Sequence, residues 1–204
     1  LIRGIRNNFI RCFKGYRFTL GILGIISVFI LSLLDYKNEI RVIHVFVDSF
    51  PTITFLLAIM FCSLPYAASL YEDLENNYYR QELARHKPGI TILSKAVVIF
   101  FSAVLTMFIG SLIFTFLLGL RYEWGILEDY GDFLLDISDM IKNNQLVLYV
   151  AVTAYKVGTL YGVLALLSTA ISLFIRNKLI VYAAPAILWH LIVDISGKFQ
   201  GKPL

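Results

Sequence analysis

Leu70-Tyr71-Glu72-Asp73-Leu74-Glu75-Asn76-Asn77-Tyr78-Tyr79-Arg80-Gln81-Glu82-Leu83-Ala84-Arg85-His86-Lys87-Pro88-Gly89, continuing as Ile90-Thr91-Ile92-Leu93-Ser94-Lys95, is a polar island between two long apolar runs. Each flanking run is long enough to cross a bilayer, so the island is expected in water at one membrane face. Its basic half points to the cytoplasmic face. Residues 78–87 contain helix formers and no breaker, whereas Asn76-Asn77 precede them and Pro88-Gly89 end them. A short surface helix is expected there, and Tyr78, Tyr79 and Leu83 among charges suit it to dock another protein. The competing reading is a solvated connection between two spans, the usual fate of a charge run.

Composition agrees with a membrane setting. Of 204 residues 58% are hydrophobic, 15% aromatic and 16% charged, and the mean hydropathy is +0.75. That is too apolar and too sparsely charged for an ordinary soluble domain. The formal charge of +4 therefore matters through where Lys and Arg fall rather than as a nucleic-acid signal. No aromatic-basic nucleic-acid motif is visible, so nucleic acid is not an expected partner. Cys12 and Cys62 occupy a basic segment and an apolar run, which gives no disulfide framework and reads as packing. The chain opens without Met and closes on a polar tail, so its ends carry no argument.

The expected fold is an all-α integral membrane protein, a single transmembrane domain over 1–204. In residues 1–17, Ile2, Ile5, Phe9, Phe13 and Tyr16 recur at three- and four-residue steps among Arg3, Arg6, Arg11, Lys14 and Arg17. This is the pattern of an interfacial amphipathic helix with its basic face toward anionic lipid. Five spans follow, at 18–34, 50–70, 90–120, 146–175 and 179–195. Residues 35–49 form a polar connection and residues 71–89 the loop described above. Pro65 is expected to kink the second span near its cytoplasmic end, and Pro185 the fifth. The third span exceeds the roughly 20 residues a bilayer needs, so it tilts or projects, with Lys95 on the projection. Residues 121–145 are acidic, with apolar residues at near-helical spacing, and read as an external amphipathic segment on the membrane surface.

Counting cations sets the orientation. With the amino terminus inside, the cytoplasmic segments hold Arg3, Arg6, Arg11, Lys14, Arg17, Arg80, Arg85, Lys87, Lys95, Arg176 and Lys178, and the external ones hold only Lys37, Arg41, Arg121, Lys142, Lys198 and Lys202. The positive-inside rule selects a cytoplasmic amino terminus.

No phosphate-binding Gly-x-x-x-x-Gly-Lys-Ser/Thr loop, His-Glu-x-x-His helix or paired cysteines at metal spacing is present. The sequence thus offers no catalytic residue, metal site or cofactor site, and energy for any work must come from a partner or an ion gradient. In the fourth span Ala154, Gly158 and Gly162 recur at four-residue steps, continued by Ala165 and Thr169. Small residues so placed form a face that another helix can approach closely; the alternative is that glycine is simply common in such helices. Lys156 lies on the opposite side of the same span. It can line a cavity or pair with Asp48, or it can snorkel to the outer surface, which is the more ordinary outcome. His190 and Asp194 share a helix face at an i, i+4 step; without a third ligand nearby, a hydrogen bond is favoured over a metal or proton site.

At the island the sequence resembles the membrane subunits of type-2 ABC exporters, the ABC-2 permease family. The resembling features are an acidic residue closing the second span (Glu72, Asp73 or Glu75), a short basic helix (residues 78–87), a turn, and a lysine opening the third span in Ile92-Leu93-Ser94-Lys95. The basic amphipathic start and short first span also look like that family. The resemblance implies a coupling helix at 78–87 that docks on a separate ATP-binding cassette ATPase through Tyr78, Tyr79, Arg80, Glu82, Leu83 and Arg85, with Glu72 and Lys95 at the junctions of loop and spans. It implies a second permease subunit, identical or related, lining the substrate pathway, and ATP and Mg bound by the ATPase. It also implies a plasma membrane, bacterial in origin, as the location. The family has six spans where five are visible here. The competing classes are a noncatalytic structural subunit of another membrane complex, which needs only spans and a docking loop, and a gradient-driven carrier, which normally needs midplane ionisable groups or broken helices.

Overall fold

In the computed structural model the described residues are 2–34, 41–49, 53–76, 88–124, 145–171, 174–175 and 177–200. They are helical or connect helices. In chain order the helices are α1 (Ile2–Lys14), α2 (Tyr16–Leu34), α3 (Val42–Asp48), α4 (Ile53–Ser63), α5 (Ser69–Glu75), α6 (Pro88–Gly119), α7 (Leu146–Ile171) and α8 (Lys178–Gln200). The helical segment expected at 78–87 and most of the acidic segment 121–145 lie outside the described residues.

Four helices, α2, α6, α7 and α8, are long and apolar enough to cross a membrane, which makes this a membrane protein. They correspond to the first, third, fourth and fifth expected spans. The second differs. Its apolar helix α4 has 11 residues, too few to cross a bilayer at 1.5 Å per residue. The chain then leaves helical geometry through turns at residues 64–68 before α5 begins. Proline at Pro65 has no N–H to donate and crowds the preceding turn. Here the helix is broken rather than kinked. Pro185, by contrast, is accommodated inside α8.

Two further boundaries are corrected. The basic amphipathic helix stops at Lys14, and Arg17 belongs to the first turn of the long helix α2. Gly15 sits at the corner between them. The polar connection 35–49 contains the short helix α3, whose Val42, Ile43, Val45 and Phe46 are completely buried. Those apolar residues, flanked by Arg41 and Asp48, form a plug rather than a solvated loop. Phe46 packs at 5.8 Å between ring centres against Phe29 of α2, which stacks at 5.0 Å on Phe114 of α6. The Val42 amide donates to the Glu123 carbonyl at this same end of the bundle, 3.3 Å away.

The long helix α6 is the axis of the bundle, contacting α1, α2, α3, α4 and α7, most extensively α7. At 32 residues it is about 48 Å long, well beyond a hydrocarbon core of about 30 Å. Proline and glycine open it, a placement that suits Pro88 because the first helical N–H has no partner within the helix. The amphipathic helix α1 packs on the first turns of α6, with Asn8 against Ser94. Helix α8 lies outside, on α7 and α4, where Phe55 of α4 bridges Trp189 of α8 and Tyr161 of α7 at 4.9 and 5.3 Å.

Candidate functional site

The polar residues bracketing the island fold into an ion-pair cluster at one end of the bundle. Lys95, two turns into α6, is fully buried and its ammonium pairs with Asp73 of α5, also fully buried. Arg11 of α1 donates from Nη1 to the other carboxylate oxygen of Asp73 at 2.8 Å. One carboxylate therefore serves two cations from two different helices. A buried charge is tolerated only when paired and hydrogen-bonded, and this one has both.

Beside it lies a second group centred on Glu72. Arg17 of α2 donates from Nη1 to Oε2 at 2.8 Å, while its Nη2 lies 2.7 Å and Lys178 Nζ of α8 2.6 Å from Oε1 as ion-pair contacts. A hydrogen bond between charged groups is shorter and stronger than one between neutral groups. Burial works against the Glu72 carboxylate, but the hydrogen bonds and charges of Arg17 and Lys178 outweigh it and hold its pKa below the ordinary value. For Arg11 too, burial opposes the charge, and the hydrogen bond and charge of Asp73 overcome it, so its pKa is raised.

A neutral relay extends the cluster inward. The Tyr66 hydroxyl donates to Asn8 Oδ1 at 2.9 Å, and Asn8 Nδ2 donates to Ser94 Oγ at 3.1 Å, one residue before Lys95. Five helices, α1, α2, α5, α6 and α8, are thereby tied together through side chains just before and just after residues 77–87.

Of the residues singled out in the sequence, Glu72 and Lys95 both lie in this cluster, but they do not pair with each other; Lys95 takes Asp73. Tyr78, Tyr79, Arg80, Glu82, Leu83 and Arg85 lie outside the described residues. In the sequence Asp73 is one of three acidic alternatives. Arg11, Arg17 and Lys178 enter there only as members of the basic start and of the cation count, and Asn8 and Tyr66 carry no signal at all. A lysine followed by an apolar run signals that an acid must meet it, but sequence spacing does not say which of three neighbouring acids turns inward.

The small-residue stripe of α7 lies against α6. A Cβ on Gly158 would come within 3.2 Å of the Val104 carbonyl oxygen, and one on Gly162 within 2.7 Å of the Phe100 ring and 3.1 Å of the Phe100 carbonyl. Ala154 and Ala165 are buried along the same helix, and Thr169 Oγ1 donates to the Ala67 carbonyl at 3.3 Å. Lys156 is exposed on the outside of the bundle; the side chain of Asp48, considered as its partner, lies outside the described residues. His190 Nε2 is 3.9 Å from Asp194 Oδ2, with both side chains more than half exposed. Among the described residues no three His, Cys, Asp or Glu side chains gather as a metal site.

Comparison of the chain with protein families, with curated proteins and with solved structures finds no match.

Proposed function

We propose that this chain is the permease subunit of an ATP-driven exporter, seated in a bacterial plasma membrane with its amino terminus in the cytoplasm. Residues 78–87 are its coupling helix, docking on a separate ATP-binding cassette ATPase that binds ATP and Mg. A second permease subunit completes the substrate pathway. The observation that carries this reading is the ion-pair cluster flanking residues 77–87. Asp73 just before that segment is joined to Lys95 just after it, and Arg11, Arg17 and Lys178 join the same junction to α1, α2 and α8.

A loop that only connects two spans needs no such anchorage. A loop that receives force does, because displacement of a docked segment moves the membrane helices only if both its ends are fixed to them. Closure of the ATPase pair would then tilt α5 and α6 together and carry α2 and α8 through Glu72. The opening between subunits would alternate between membrane faces. The chain itself performs no chemical step in this scheme.

The test is the double substitution Tyr79→Ala/Arg80→Ala. Aromatic and arginine side chains dominate protein interfaces, each worth about 2 kcal/mol or more when buried there. The variant should insert normally, yet lose the ATPase on affinity purification or lose substrate-stimulated ATP hydrolysis. Purification that brings down an ATPase with undiminished yield and stimulation in the double variant would remove residues 78–87 from the coupling role. Wild-type chain that brings down no ATPase would remove the exporter reading itself.

A further inference from the structure

The end of the bundle opposite the ion-pair cluster holds an apolar groove. It lies between the last turns of α6 and the first turn of α7, with a volume of about 400 Å³, and Ile113, Phe116, Leu117, Trp124, Val147 and Val150 line it. Val150 is fully buried and forms the floor, whereas Phe116 at 63% and Val147 at 61% exposed form the rims. Sites for small molecules typically measure about 300–1,000 Å³.

Specific contacts hold the groove in shape. Trp124 closes one end because the chain turns back after α6: the Tyr122 amide donates to the Leu118 carbonyl at 2.9 Å, and the Glu123 carbonyl accepts from the Val42 amide of α3 at 3.3 Å. The indole then lies on Gly119, where a Cβ would fall 2.4 Å from Nε1 and 2.5 Å from Cε2. A side chain at that position would displace the ring. Among the described lining residues the only hydroxyl is that of Thr115, which donates to the Ser111 carbonyl at 2.8 Å. Its proton is thus spent inside α6.

These surfaces specify a hydrocarbon chain. A polar group placed in the groove would lose its water without gaining a hydrogen bond. Both α6 and α7 are long and apolar enough to cross a membrane, so acyl chains are the molecules that surround them. At this end of α6 the chemistry then changes. Tryptophan favours the boundary between hydrocarbon and headgroups, where its ring is apolar and its N–H meets a polar group. Arg121 is exposed three residues earlier, its guanidinium carbon 5.8 Å from the centre of the Tyr122 ring, and a guanidinium is the cation best matched to a phosphate. An apolar tail followed by a polar linkage and a phosphate describes a phospholipid.

We propose that a membrane phospholipid is a resident ligand here, with one acyl chain in the groove between α6 and α7 and its phosphate at Arg121. The site goes beyond the permease reading and needs only the membrane-spanning helices, so neither an ATPase nor transport enters its test.

The probe is phosphatidylcholine with brominated acyl chains, which quench indole fluorescence on contact, added to the whole chain in micelles of an uncharged detergent. Trp189→Phe leaves Trp124 as the only indole. Quenching should saturate at one lipid per chain while brominated lipid is still a small share of the micelle. Filling the groove with Val147→Phe should raise the half-saturating concentration at least about tenfold. Brominated diacylglycerol, which has the chains but not the phosphate, should bind more weakly than phosphatidylcholine, and Arg121→Gln should remove that difference. Quenching that rises in proportion to the brominated share of the micelle without saturating reports surrounding hydrocarbon only and would overturn the proposal. Absence of quenching would overturn it too, as the sign of a groove covered by protein. Saturation unaltered in monodisperse Val147→Phe and Leu117→Phe would place the lipid elsewhere, and equal binding of the two lipids by the chain with Arg121 intact would exclude a phosphate-bearing ligand.

Discussion

Asp73 and Lys95 stand 22 residues apart in sequence and meet as a buried ion pair, one just before residues 77–87 and the other just after them. The pair makes α5 and the start of α6 one mechanical unit, although α5 has only 7 residues and would be marginal alone. Arg11 on the same carboxylate adds the amphipathic helix α1 to that unit. Residues 77–87 are therefore flanked on both sides by a braced junction.

Removing Asp73 should be the most damaging single change in the cluster, because Asp73→Asn takes one carboxylate from two cations. Breaking a buried pair by deleting one partner costs about 3–5 kcal/mol. Lys95→Met should cost less, since the Arg11 pairing of Asp73 survives. The double variant Asp73→Asn/Lys95→Met should be more stable than Asp73→Asn alone. Unfolding temperature in detergent, followed by size-exclusion chromatography, measures all three; equal losses that simply add in the double variant would exclude the pairing.

Glu72 should make stability fall in acid. Its pKa in the folded chain is lowered from 4.5, so the unfolded state binds a proton first as pH drops. The stabilisation by Arg17 and Lys178 is fully present above about 4.5 and is lost as pH falls through the depressed value. Glu72→Gln never has it. The melting-temperature difference between wild type and Glu72→Gln should therefore be constant from about pH 7 to 5 and shrink below that. A difference unchanged down to about pH 3 would show that the pairing does not operate in solution.

Much of this architecture is legible from residues alone. Long uninterrupted apolar runs mark α2, α6, α7 and α8, because a bilayer-spanning helix is what such runs encode. The breaks are less legible. Pro65 announces a disturbance, but whether a helix kinks or stops depends on what surrounds the proline, and here α5 is held apart by charges that come from α1, α2, α6 and α8. Helix α3 is hidden for another reason: its apolar run of Val42, Ile43, Val45 and Phe46 is too short to announce a span. Its place of burial is made by α2, α6 and α7 together, which no local stretch of sequence announces. The ion cluster shows the same limit, since its acids are neighbours in sequence and its cations come from four helices.

The contact between α6 and α7 leads to a graded expectation at the glycines. Gly162→Leu should be worse than Gly162→Ala, and Gly158→Leu worse than Gly158→Ala, because a Cβ already meets Val104 or Phe100 at contact distance or closer. Overpacking of this kind costs about 1–3 kcal/mol. The yield of monodisperse protein after purification should fall in that order. Normal behaviour of both leucine variants would place the stripe away from α6.

Topology supplies the last expectation, and the native cysteines make it clean to measure. Cys12 and Cys62 are both buried, and burial pushes the Cys12 thiol up to about 11, so neither should react rapidly with a charged maleimide at neutral pH. Cysteine introduced one at a time for Arg85, Lys178 and Asp132 would then report its own side of the membrane. From the cation count we expect Arg85 and Lys178 in the cytoplasm and Asp132 outside. Lys178 shares Glu72 with Arg17, which ties the fifth expected span to the same membrane face as the start of the first. A membrane-impermeant reagent added to intact cells should label the Asp132 position and leave the other two until the membrane is opened. Labelling of the Arg85 position from outside would invert the orientation and, with it, put residues 78–87 beyond reach of any cytoplasmic ATPase.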